Sequence, residues 1–169
     1  MPPQWVLPVG CVGGARTGQG PTRAGGSPWK AAWMSEAVRQ VLPADAVAPS
    51  IVRRRVRRWL IELGWPEIDA DDLLLAVSEA VSNAADHAYP PGRTGEVVVD
   101  AECVSDSNGG RQVVITVLDH GSWRPPPAWH ENRRRGVPLM RACTASVDIR
   151  GSASGTRVCM VSKPVAALV

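Results

Sequence analysis

LLLAVSEAVSNAADHAY, residues 73–89, is the most informative stretch of this chain. Set on a helix at about 100° per residue, Leu73, Val77, Ala80, Val81, Ala84 and Ala88 gather on one apolar face. Glu79, Asn83 and His87 follow one another at i, i+4 and i+8, on a stripe about 100° from the middle of that face. Such a stripe runs along the rim of the core, where a helix lines a cleft. It offers a carboxylate as proton acceptor, a carboxamide oxygen as hard-cation ligand, and an imidazole that either faces phosphates or satisfies a polar spot at the core's edge. The same residue types also suit an ordinary solvated helix face, so the helix alone leaves two readings open.

On the N-terminal side, Gly64-Trp65-Pro66 is a breaker, and Asp69, Asp71 and Asp72 provide an N-cap candidate and negative charge for a helix over 71–88. Tyr89-Pro90-Pro91-Gly92 ends it, because proline cannot continue a helix. Residues 49–63 form an amphipathic helix, with Ile51, Val52, Val56, Trp59, Leu60 and Leu63 on one face and Arg53, Arg54, Arg55, Arg57 and Arg58 around the other. The arginines read first as a solvated face and second as a grip for phosphates or an acidic partner. Residues 36–42 suit a short strand or a helical turn. Residues 1–35 are rich in Gly and Pro, with no Asp or Glu before Met34, and show no regular period. They are expected to be a disordered extension, with Met34 a candidate for the natural start.

On the C-terminal side, residues 95–104 and 111–118 read as β-strands rich in valine, joined by the turn chemistry of residues 105–110 into an antiparallel hairpin. Asp119-His120-Gly121 follows directly, where a carboxylate is held rigidly and glycine admits a close neighbour. Residues 122–135 contain Pro125, Pro126 and Pro127 and end in Arg133, Arg134 and Arg135 without a period, which suits a lid or binding loop. A helix is expected from Gly136 to about Ala145, with Pro138 in its first turn and free N–H groups at its start, a ready anion site. Strands over 146–150 and 156–162 flank a turn at 151–155, and residues 163–169 read as a loose tail.

Length supports one domain, residues 36–164, with short appendages and a tail from 165. The formal net charge of +3 gives no argument for nucleic acid, and a nucleic-acid-binding role for the arginine helix is disfavoured on that ground. Cys11, Cys103, Cys143 and Cys159 have no C-x-x-C spacing and no grouped histidines, so neither zinc nor a redox pair is signalled. No apolar run is long enough to span a bilayer and no secretory leader is recognisable, so the expected location is the cytoplasm, with no membrane association.

Taken together, Glu-x-x-x-Asn on a helix, Asp-x-Gly after a strand, a lid, Gly before a helix and Gly-Thr opening a last strand resemble the GHKL ATPases, and within them the RsbW-type anti-sigma-factor serine/threonine kinases. The resemblance covers roughly residues 36–164. It implies an α/β two-layer sandwich, the Bergerat fold, with a mixed, mainly antiparallel sheet and helices on one face. It implies ATP and Mg²⁺ as cofactors, with Glu79 as general base and Asn83 as Mg²⁺ ligand. Asp119 would accept the adenine amino group, Gly121 would let the base lie close, and Gly136 and Val137 would present N–H groups to the phosphates. Gly155 and Thr156 would hold the adenine from beneath, Arg135 with its neighbours would make the lid cationic, and His87 would either face the phosphates or stay structural. The implied partners are a STAS-type anti-anti-sigma protein as phosphoryl acceptor and a sigma factor as regulated target, with homodimerisation left open. Arg134 stands where the family often has a second glycine, Asn132 where anti-sigma members often carry an arginine, and Ser154 where a double glycine is common. The alternative to a kinase is a nucleotide-gated partner-binding module without turnover: Glu79 favours the enzyme and Arg134 the module. No P-loop or eukaryotic-type kinase motif is present.

Overall fold

The computed structural model describes residues 37–90, 92–105, 110–122 and 136–166. The extension before residue 36, the turn at 106–109, and the lid with Asn132, Arg133, Arg134 and Arg135 lie outside the described residues. In chain order the elements are β1 (Ala37–Pro43), α1 (Ala48–Glu62), α2 (Glu67–His87), β2 (Glu96–Ser105), β3 (Arg111–Asp119), α3 (Gly136–Cys143), β4 (Ser146–Ser152) and β5 (Gly155–Val161).

The strands form one sheet in the order β1-β2-β3-β5-β4. The sheet was expected to be mixed and mainly antiparallel; every pairing among the described strands is antiparallel, so no parallel pair is found among them. The stretch 36–42 was open between strand and helical turn; its described part lies in strand β1, where Gln40 and Leu42 alternate inward and pair with Val99 and Val97. Alternation sorts the rest of the sheet. Val97, Val99 and Ala101 of β2, Val113, Ile115 and Val117 of β3, and Val158 and Met160 of β5 are buried against the helices. The opposite face carries Arg39, Asp100, Thr116, Arg157, Asp148 and Arg150, and the cross-strand ion pair of Arg39 with Asp100 at 3.0 Å lies there.

All six residues assigned to the apolar face of the central helix are buried, each no more than 5 % exposed. That helix starts earlier than expected, at Glu67 instead of residue 71. Pro66 takes the cap position with non-helical ψ 137, and Glu67 and Asp69 fall in the first turn, so the aspartates lie inside the helix and cap nothing. Charge near the free N–H groups is still favourable there. Asp45 stabilises the start of α1, where its Oδ1 accepts the N–H groups of Val47 and Ala48 at 2.9 and 3.0 Å. The arginines of α1 project from the surface; Arg57 pairs with Asp71 at 2.7 Å and Arg58 with Glu62 at 3.1 Å, consistent with a solvated face.

The tail also differs from expectation. Residues 163–166 are anchored: Lys163 donates to Asp72 at 2.8 Å, and Val165 and Arg111 exchange backbone hydrogen bonds of 2.8 Å in each direction. Cys143 belongs to the core, and burial and the neighbouring Asp72 carboxylate push its thiol above its ordinary pKa, which disfavours the thiolate. Among the described residues no helix is long and apolar enough to cross a membrane.

Candidate functional site

Asp119 closes β3 on the helix-covered face of the sheet and is 5 % exposed. Its Oδ1 accepts the backbone N–H of Gly121 at 3.0 Å and of Thr156, from the start of β5, at 3.2 Å. Two donors on one oxygen fix the carboxylate's rotation and leave Oδ2 without a hydrogen bond to another described residue. The strand junction is tight: Gly155 has φ 133°, and a Cβ there would lie 2.0 Å from the Asp119 carbonyl oxygen, so a side chain is excluded both by conformation and by space.

The segment after Asp119 is tied to the end of α2. Ser122 N–H donates to the Ala88 carbonyl at 2.9 Å, and a Cβ on Gly121 would meet that same oxygen at 2.0 Å. Tyr89, which sequence reasoning treated only as part of a breaker, is the fastening. Its hydroxyl donates to the Glu96 carbonyl at 2.6 Å and accepts the His120 N–H at 3.0 Å, joining the helix end to β2 and to the Asp119 segment. It is the chain's single tyrosine, and the Gly95 that packs beneath its ring was the available signal, because a Cβ at Gly95 would overlap the ring at 1.9 Å. Tyr89→Phe removes both bonds and is expected to lower the unfolding free energy by about 1 kcal/mol, measured by urea denaturation.

At the other end of the stripe, Glu79 is half-buried and packs against the first residue of α3. A Cβ on Gly136 would lie 2.6 Å from Glu79 Oε1 and 3.1 Å from its Cγ, so the absence of a side chain at 136 is what lets the carboxylate reach the helix start. The unpaired N–H groups there carry partial positive charge. The side chains of Glu79 and Asn83 make no hydrogen bond to another described residue. Asn83 is half-buried one turn along; His87 is exposed in the last turn, and Val137 is half-buried in the first turn of α3. Arg135 lies outside the described residues.

The helical rise from Glu79 to Ala88 is roughly 13 Å at about 1.5 Å per residue, so α2 forms one wall between two ends. One end holds Glu79, Asn83, Gly136 and Val137; the other holds Asp119, Gly121, Gly155 and Thr156, and His87 directly precedes Ala88, whose carbonyl is tied to that second end. The first end has an anion-favouring helix start beside a carboxylate and a carboxamide. The second has a locked acceptor suited to a planar base. The donors fit Mg²⁺, which takes one or two protein oxygens and shares the rest of its shell with water and phosphates; among the described residues no cluster of three His, Cys, Asp or Glu competes as a metal cage.

Comparisons with known proteins give the family of this chain. Residues 42–162 match the family described as the histidine kinase-like ATPase domain. The serine-protein kinase RsbW of Bacillus licheniformis is 40% identical over 79 residues, covering 47% of this chain and 46% of that protein. The serine-protein kinase RsbW of Bacillus velezensis is 32% identical over 84 residues, covering 50% and 49%. The chain thus spans about half the length of the curated relatives it matches. The crystal structure of the RsbU and RsbW domains of a Mycobacterium tuberculosis protein superposes with a TM-score of 0.60 at 27% identity, covering 79% of this chain and 34% of that one. With well over half of its length matched, the chain belongs to the histidine kinase-like ATPase domain family, the GHKL ATPases, and the relatives it resembles within that family are of the RsbW type.

Proposed function

We propose that the chain binds Mg-ATP along α2, between the Asp119 segment and the start of α3, and transfers the γ-phosphoryl group to a serine or threonine hydroxyl of a protein partner. The observation that supports this best is the Glu79 carboxylate held against Gly136, with no competing hydrogen bond from a described residue. A carboxylate at that point can take the hydroxyl proton as the oxygen–phosphorus bond forms and the bond to the departing ADP breaks. Asp119 Oδ2 would accept the adenine amino group while Oδ1 stays held by two backbone donors. Mg²⁺, when bound, supplies charge neutralisation at the phosphates; Asn83 is the residue that would hold it, and the N–H groups at Gly136 and Val137 would orient the phosphate oxygens. His87 keeps both of its readings.

The name serine-protein kinase borne by the Bacillus relatives supports the reaction class. The partner that goes with this reading is a STAS-type anti-anti-sigma protein, with a sigma factor as the regulated target, in the cytoplasm. Incubation with γ-labelled ATP and a candidate STAS partner tests it: label on a partner Ser or Thr is expected. A nucleotide-dependent complex that never acquires label would favour a binding module without turnover. Asn83→Ala is expected to weaken nucleotide binding by at least about 10-fold in the presence of Mg²⁺ and little in its absence, as read by calorimetry with and without the metal.

A further inference from the structure

We propose that the outward groove between α1 and α2 docks an acidic amphipathic helix of a protein partner. The level of the groove is set by the ion pair of Arg57 on α1 with Asp71 on α2, at 2.7 Å. Residues three or four apart on a helix are neighbours on its surface, so this pair fixes what stands beside it. One turn toward the connection at 63–66 lie Ile61 on α1 and Ile68 on α2; one turn away from it lie Arg53 and Arg54 on α1 and Leu75 on α2. Ile61 is 69 % exposed, Ile68 81 % and Leu75 39 %. Large exposed apolar side chains number five among the described residues, and three of them meet here. Such side chains are ordinary when scattered singly, but a group of them rimmed by charge marks an interaction surface.

The charge names the partner. Arg53 and Arg54 are exposed, and their guanidinium groups form no ion pair among the described residues, whereas Arg57 and Arg58 of the same helix are paired. Two free guanidinium groups beside apolar anchors fit carboxylates carried on an apolar scaffold. Ile68 and Leu75 are two helical turns apart, about 10 Å along α2, which is also the spacing of positions i and i+7 on a second helix. A helix laid in the groove meets both with one apolar stripe and turns its acidic residues toward α1. A second copy of this chain fits less well, because a two-fold contact through this face sets the arginines against their own counterparts. Nucleic acid also fits less well, since Ile61, Ile68 and Leu75 offer nothing to a phosphate backbone. Leu75 stands one turn before Glu79, so a docked helix runs up to the proposed transfer site. The groove uses no residue of that site, and binding in it does not rest on the nucleotide reading.

The test is amide NMR on the full chain without nucleotide, titrated with a synthetic peptide that repeats Leu-Glu-Glu-Leu-Leu-Glu-Glu. Parallel titrations use the same peptide with Lys in place of Glu, duplex DNA, and phosphatidylglycerol vesicles. The expected result is saturable shifts at Arg54, Ile61, Ile68 and Leu75 with the acidic peptide, and weaker binding of every other probe. Ile68→Ser, at an exposed position, and Arg53→Gln/Arg54→Gln are each expected to weaken binding by about 10-fold. The arginine variant is also expected to flatten its salt dependence. Absence of saturable shifts at these amides, unchanged affinity in either variant, or equal binding of the lysine peptide would overturn the proposal. Tighter binding of DNA or vesicles would overturn it in favour of those ligands, and a dimer in sedimentation that Ile68→Ser dissociates would assign the face to a second copy instead.

Discussion

Glu79→Gln is expected to bind Mg-ATP as the unaltered chain does and to phosphorylate its partner about 10²–10⁴-fold more slowly. The substitution is nearly isosteric, so the tight space against Gly136, where a Cβ would come within 2.6 Å of Oε1, stays filled as before. The Glu79 side chain makes no hydrogen bond to a described residue, so no network is lost with the charge. What disappears is the ability to accept the hydroxyl proton while the new phosphorus–oxygen bond forms. Single-turnover phosphorylation and calorimetric ATP binding, measured side by side, separate the two effects. An equal loss of both would make Glu79 a packing residue.

Asp119→Asn is expected to cost about 10- to 100-fold in ATP affinity and to shift the preference toward GTP. The direction follows from the locked geometry. Gly121 and Thr156 both donate to Oδ1, so an asparagine keeps its carbonyl oxygen there and must point its amide nitrogen where Oδ2 was. A donor then faces the base edge. It meets the adenine amino group donor-to-donor and the guanine carbonyl donor-to-acceptor. Competition binding of ATP against GTP to both proteins reads the change, and an unaltered ratio would remove Asp119 from base recognition.

How far the residues alone carried this picture depends on the kind of information each holds. The apolar face of α2 was legible because helical spacing encodes it, and all six of its assigned residues are buried. Its start was misread because three aspartates look like caps, while the cap position fell to Pro66, whose own conformation ends the preceding turn. The strands and the hairpin were legible from valine content and turn chemistry. The order in which β5 inserts between β3 and β4 was not, because a period of two fixes which face a residue occupies but says nothing about its neighbouring strand. The same limit hid the contact of Thr156 with Asp119: Thr156 was expected, with Gly155, beneath the adenine, and its main-chain N–H reaches Asp119 across 37 positions. Tyr89 escaped notice because its two hydrogen bonds go to backbone groups that no motif records. The tail was read as loose because its anchors, Asp72 and Arg111, lie far from it in sequence.

The central claim is that one nucleotide bridges the Asp119 segment and the start of α3, with α2 as the wall between them. Hydrogen–deuterium exchange of the full chain with and without Mg-ATP tests this most directly. The account predicts that Mg-ATP slows exchange at residues 119–122 and at residues 136–139 together, over the same range of nucleotide concentration. No change at either segment, or protection of one without the other at saturation, would contradict it.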